Sequence, residues 1–195
     1  MESIILASGS PRRQEYFKML GIPFRIMPPR LDESYADGMP PDEFSRTMAV
    51  KKIDKILSQL NGKLPLWIFA ADTIISFEGK VLGKSVTREE ASETLKKLSG
   101  REHDIITSCA LFSGEKNATD CRTVSTNIQF ADIPPSTLEW YLDTGEWQGT
   151  AGSYKIQGIA GCFISKITGS FSSAVGLPLR EFYLMLIENG YVYGR

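Results

Sequence analysis

The run Ser8-Gly9-Ser10-Pro11-Arg12-Arg13 places hydroxyls, guanidinium groups and backbone N–H groups within one short stretch. It lies between an apolar strand-like segment, Ile4 to Ala7, and a helix opened by Ser10 and Pro11. Donors that converge at a helix N-terminus bind phosphate oxygens. Two arginines in a first turn also oppose the helix dipole, a conflict that an anion would relieve. The same pattern serves equally as a capped helix with solvated arginines. Asp72 sits inside the apolar stretch Leu64 to Phe77. A lone carboxylate in a dry core is costly unless paired, protonated or metal-bound, which makes Asp72 the best single candidate for acid–base chemistry. A turn aspartate beside Thr73 is the plainer alternative.

Other candidates are weaker taken singly. Asp32 and Glu33 lie in a proline-rich acidic loop between Pro28 and Pro41, where solvated acids are ordinary. Gly79-Lys80-Val81-Leu82-Gly83-Lys84-Ser85 has three residues between its glycines where a P-loop needs four, and it follows a hairpin turn. It is not a P-loop, and Lys84 remains as an isolated cation. Lys52 shares a helix with Lys51 and Lys55 and reads as part of a solvated face, largely off the apolar stripe. The single histidine, His103, reads as a strand residue with one hydrogen-bond partner rather than a base. Ala151 to Gly158 lacks the G-x-G-x-x-G spacing and follows no strand, so it is no dinucleotide fingerprint. Its Gln157 offers an amide donor and acceptor, suited to a base edge, although a tight structural turn explains the segment as well.

These residues need a framework. Ile4 to Ala7 and Phe24 to Met27 read as strands around a helix running to about Leu20, and Asp42 to about Leu60 reads as a longer helix. Leu66 to Ala71 and Ile74 to Phe77 read as two strands broken at Asp72-Thr73, followed by Lys80 to Leu82. Thr87-Arg88-Glu89-Glu90 is a capping box opening a helix to Ser99. Asp104 to Ser113 and Asp120 to Phe130 form a hairpin, Ser136 caps a short helix, Cys162 to Ile167 is a strand, and Pro178 to Glu188 is a final helix. Alternating helices and strands, then hairpins, predict an α/β fold with a mixed sheet in a single domain over residues 1–195.

The chain has 195 residues, 22 basic against 23 acidic, with 42% hydrophobic side chains. A chain of this length buries roughly 70% of its unfolded surface, so its core needs neither disulfides nor structural metal. A net charge of -1 without a long basic tract argues against nucleic acid as a partner. Cys109, Cys121 and Cys162 show no metal-ligand spacing and fit a reducing cytoplasm. No segment reads as a signal or a membrane span.

Taken together, Leu6 to Arg13, Asp32-Glu33, Lys52, Ala71-Asp72-Thr73, Lys84, Leu98-Ser99-Gly100, Ala151 to Gly158 and Val175 to Leu179 resemble, nearly end to end, the Maf family of nucleoside triphosphate pyrophosphatases. The resemblance implies a homodimeric, two-lobed, mixed-sheet α/β fold of the ITPase-like type. It also implies hydrolysis of a nucleoside triphosphate to the monophosphate and pyrophosphate with a divalent cation, Mg or Mn. On it, Asp72 is the proton acceptor, Glu33 a second essential acid and, with Asp72, a metal ligand. Ser8, Arg12, Arg13, Lys52 and Lys84 handle phosphate. Arg12, Thr73 and Gln157 match the specificity positions of the branch that prefers dTTP and UTP. Departures are Lys51 for a common acid, Ala70 for a usual glycine, and Gly83 and Ser85 around Lys84 where an acid and a proline are common. Two alternatives stay open: a purine or methylated guanine triphosphate as substrate, or a nucleotide-sensing module acting in cell-division control.

Overall fold

The computed structural model describes all residues except Glu33, Ala36, Asp37, Asn61, Lys63, Gly194 and Arg195. In chain order the elements are β1 (Ile4–Leu6), α1 (Pro11–Met19), β2 (Phe24–Ile26), α2 (Pro41–Gln59), β3 (Trp67–Phe77), β4 (Lys80–Leu82) and α3 (Arg88–Leu98). After them come β5 (Glu102–Ser113), β6 (Ala118–Phe130), α4 (Pro135–Asp143), a 3₁₀ helix (Ile159–Phe163), β7 (Ile164–Thr168), α5 (Phe171–Val175) and α6 (Leu179–Glu188). The strands form one seven-stranded sheet in the order β2-β1-β3-β5-β6-β7, with β4 paired to β3. Pairing is parallel for β1 with β2 and β3, and antiparallel for β3 with β4 and β6 with β7, so the sheet is mixed as expected.

The chain divides into two compact units. The first comprises Met1–Thr73, Thr107–Val124 and Gly176–Arg195. Here strand alternation sorts the core onto two faces. Ile4, Leu6, Phe69 and Ala71 pack with Phe17 of α1 and Phe182 and Met185 of α6. Ile5, Ala7, Ile68 and Ala70 pack with Ala49, Ile53 and Ile56 of α2. Asp72 continues the second series and Thr73 the first, so adjacent residues of one strand face different helices.

Two expectations are corrected here. β3 runs unbroken through Asp72 and Thr73. A polar pair continues a buried strand when each side chain finds a partner, and both do. Lys52 does not lie off the apolar stripe: it is 6% exposed and sits among the buried residues Ser45, Met48, Ala49, Ile53 and Ile56. Its place four residues after Met48 and four before Ile56 puts it on the inner face.

The second unit comprises Ile74–Ile106 and Ser125–Val175. Thr87 caps α3 by accepting from the Glu90 N–H at 3.2 Å, while Glu90 reaches back to the Val86 N–H at 2.7 Å. Helix α4 starts at Pro135 with Pro134, not Ser136, at the cap position, because a proline at the first helical position lacks the N–H that would otherwise go unpaired. In its core His103 packs edge-on against Phe130 and Tyr154, and Phe163 links Phe130 to Tyr141. Among the described residues no helix is long and apolar enough to cross a membrane.

His103 is buried, with Nε2 2.6 Å from the Tyr154 hydroxyl, in line with its expected structural role. Burial pushes it down from 6.5 to about 4. A histidine depressed on folding contributes stability above its unfolded pKa that is lost as pH falls through this window, about 3 kcal/mol in full. Urea unfolding at pH 7 and pH 4.5 checks this: His103→Gln, which keeps a hydrogen-bonding side chain, should lose less stability than the native protein over the same range. Equal losses would place the acid sensitivity elsewhere.

Candidate active site

In the first unit Arg13, on the inner face of α1, commits each of its three nitrogens. Nε donates to the Gly176 carbonyl at 2.8 Å, Nη1 to Ser8 Oγ at 3.0 Å and Nη2 to Thr73 Oγ1 at 3.1 Å. Thr73 Oγ1 is also 3.0 Å from Thr107 Oγ1. The guanidinium therefore ties the turn after β1, the middle of β3 and the turn before α6 together. Ser8 Oγ accepts a second bond from the Ser10 N–H at 3.2 Å. Both donors give to Ser8, so its own hydroxyl proton has no acceptor among the described residues and is available to an oxygen ligand.

Arg12, next in sequence, is half-buried and makes no hydrogen bond or ion pair with any described residue. Burial lowers its guanidinium below the ordinary value, although an arginine stays charged at any physiological pH. A partly desolvated cation without an anion is an incomplete pair, and Ser10, at the N-cap position of α1, makes no side-chain cap bond. Ser8, Arg12 and this helix end thus present donors and positive charge with unfilled capacity for an anion.

On the other face, Lys52 Nζ lies 2.7 Å from Asp72 Oδ1 and 3.4 Å from the Ala71 carbonyl. Asp72 is 7% exposed, and its second oxygen, Oδ2, is buried with no hydrogen-bond partner among the described residues. One oxygen is therefore fixed by a cation, and the other can take a proton or a metal ion. Ser45, missed in the sequence, is fully buried. Its hydroxyl accepts from the Ser108 N–H at 3.1 Å and donates to the Asp72 carbonyl at 3.2 Å, which ties α2 to β3 and β5 beside the carboxylate. A serine on the apolar stripe of a helix is the signal that could have found it, since a buried hydroxyl requires partners.

Glu33 lies outside the described residues. Its neighbour Asp32 is exposed and closes a local turn with Ser34, which holds its carboxyl below the usual range through the Ser34 hydroxyl and N–H.

Lys84 and Gln157 belong to the second unit, and both are exposed. Lys84 forms an antiparallel bridge with Ala151, the Gly152 N–H donates to the Gly83 carbonyl at 3.0 Å, and Ser85 Oγ lies 2.6 Å from Ser153 Oγ. Ser85 thus anchors the loop that carries Lys84. Gln157 is at the tip of a turn closed by the Gly158 N–H on the Lys155 carbonyl at 3.0 Å.

The sequence profile described as Maf-like protein matches residues 3–189. The chain belongs to the Maf-like family. Two relatives support the membership of this Maf-like chain, both named dTTP/UTP pyrophosphatase. That of Symbiobacterium thermophilum is 38% identical over 191 residues, covering 98% of this chain and 96% of its own. That of Rhizobium meliloti is 38% identical over 195 residues, covering 97% and 94%. Among solved structures, a nucleoside-triphosphatase (dITP/XTP pyrophosphatase) of Mycobacterium abscessus aligns over 99% of the Maf-like chain and 100% of its own, with 15% identity and a TM-score of 0.48.

Proposed function

We propose that this protein is a hydrolase that cleaves dTTP and UTP to the nucleoside monophosphate and pyrophosphate. The observation that carries the reading is Asp72: a buried carboxylate with Oδ1 held by Lys52 and Oδ2 left without a partner among the described residues. A nucleotide sensor needs cations but has little use for such an acid. The names of the two relatives support both the activity and the pyrimidine preference.

Phosphoryl transfer depends mostly on positioning and on neutralising charge at the phosphate oxygens. Arg12 and the Ser8 hydroxyl bind phosphate oxygens with the donor capacity they hold in reserve. Arg13 acts by fixing Ser8 and Thr73 and by adding its charge nearby. Lys52 holds Asp72 in place, Asp72 Oδ2 takes the proton of the attacking water, and Lys84 contributes a further cation toward the leaving pyrophosphate. Glu33 is the second acid of this proposal, and Arg12, Thr73 and Gln157 set the preference for the base.

A divalent cation, Mg or Mn, fits this donor set. The orphaned Asp72 Oδ2 is a hard oxygen ligand, and no group of three or more His, Cys, Asp or Glu among the described residues forms an all-protein cage. One or two carboxylates with substrate phosphates completing the shell is the usual Mg arrangement, so Asp72 and Glu33 would hold it. When bound, such a cation neutralises phosphate charge and lowers the pKa of a coordinated water. The homodimer and the cytoplasmic location implied by the resemblance belong to the same proposal.

The test is to incubate the pure protein with Mg or Mn and a panel of pyrimidine, purine and methylated guanine triphosphates and to identify both products. Monophosphate and pyrophosphate in equal amounts, fastest from dTTP and UTP, are expected. Diphosphate with single phosphate, or a preference for a guanine triphosphate, would overturn the assignment.

A further inference from the structure

We infer that Glu146 is a specificity-positioning residue, whose carboxylate clamps the turn that presents Gln157 to the base. The inference rests on the proposed pyrimidine reading and deepens it. Glu146 Oε2 accepts the Ile159 N–H at 2.9 Å and Oε1 accepts the Ala160 N–H at 3.1 Å. One carboxylate therefore takes the first two amides of the 3₁₀ helix that begins directly after Gly158. Two charge-assisted bonds to adjacent backbone amides fix the direction in which the chain leaves the turn.

Gly158 makes this approach possible. A Cβ built there would lie 2.2 Å from Glu146 Oε2, so any other residue would push the carboxylate away. On the incoming side the turn is closed by the bond from Gly158 to Lys155, and the Ile156 side chain is buried. Gln157 is thus the exposed residue between a buried anchor and a clamped helix start. It makes no hydrogen bond to any described residue, which leaves its amide free for a ligand.

An amide that reads a base edge must hold its donor and acceptor in register with the carbonyl and N3–H of a pyrimidine, and a misplacement of about 1 Å loses most of that discrimination. Gln157 itself makes no hydrogen bond to a described residue that would hold it before the base arrives. Its placement depends on the backbone on either side, and on the C-terminal side that backbone is held by Glu146. A carboxylate that merely capped the short helix would affect stability alone. One that positions Gln157 must change selectivity, and must do so only while Gln157 is present.

The experiment uses Glu146→Gln, which keeps one carbonyl acceptor and so retains the fold, alongside Gln157→Glu and the double variant. The readout is kcat/KM for dTTP and for GTP, with circular dichroism and thermal melting on each. Gln157→Glu puts an anionic acceptor against a pyrimidine carbonyl and should narrow the dTTP-to-GTP ratio about ten- to a hundredfold. Glu146→Gln should narrow it roughly tenfold, by raising KM for dTTP more than for GTP. The double variant should match Gln157→Glu, because once position 157 no longer matches the pyrimidine edge the clamp has no selective contact left to hold in register. If Glu146→Gln lowers the melting temperature but leaves the ratio unchanged while Gln157→Glu shifts it, Glu146 is only a helix cap and the inference fails. If the double variant shows the two shifts multiplied, Glu146 acts independently of Gln157 and the inference fails again. If Gln157→Glu leaves the ratio unchanged, it is the reading of Gln157 itself that falls.

Discussion

Asp72→Asn is expected to lower turnover of dTTP by about a thousandfold or more while the protein stays folded, because removal of a general base alone accounts for 10²- to 10⁴-fold. The substitution is nearly isosteric. The amide oxygen can still accept the bond that Lys52 Nζ makes to Oδ1 at 2.7 Å, and Lys52 keeps the Ala71 carbonyl. What is lost is the second oxygen, the buried Oδ2, which an amide nitrogen replaces with a donor that can neither take a proton nor hold a cation at neutral pH. Circular dichroism and a denaturant melt verify the fold, and kcat is then measured on the folded fraction. Near-normal turnover in a folded variant would make Asp72 a structural acid.

Lys52→Met should destabilise the fold more than Asp72→Asn, which leaves the ammonium its amide and Ala71 carbonyl acceptors. The lysine and Asp72 are buried together, at 6% and 7% exposure, and removing one partner of such a pair leaves an uncompensated charge that costs roughly 3–5 kcal/mol. The double variant Lys52→Met with Asp72→Asn carries no buried charge on Asp72, so it should be more stable than Lys52→Met alone. Urea unfolding of all four forms measures that coupling. Strictly additive losses would mean that the pair is not an energetic unit, whatever its geometry. Lys52→Met should also be inactive, since the carboxylate would lose the group that holds Oδ1.

The sequence revealed the local features of this architecture and missed those that depend on long-range contact. The strand and turn leading into α1, the capping box at Thr87 and the hairpin of β5 and β6 are written in short patterns and appear where those patterns fall. The partners of Arg13 are not, because one of them, Gly176, lies 163 residues away. Lys52 was legible in principle, since it keeps the spacing of Met48 and Ile56, but neighbouring lysines disguised it as part of a charged face. The continuity of β3 through Asp72-Thr73 was hidden for the same reason. Nothing local shows that α2 offers a cation to one residue and α1 a guanidinium to the next. Glu146 carried no signal at all, because its ligands are the backbone amides of residues 13 and 14 positions later.

The central claim is that water activated at Asp72 attacks the α-phosphorus. Hydrolysis of dTTP in ¹⁸O-labelled water with Mg, followed by mass spectrometry of both products, tests it most directly. One labelled oxygen is expected in the nucleoside monophosphate and none in pyrophosphate. Label in pyrophosphate would mean attack at the β-phosphorus, and label in single phosphate released with dTDP would mean attack at the γ-phosphorus. Either result would contradict the mechanism.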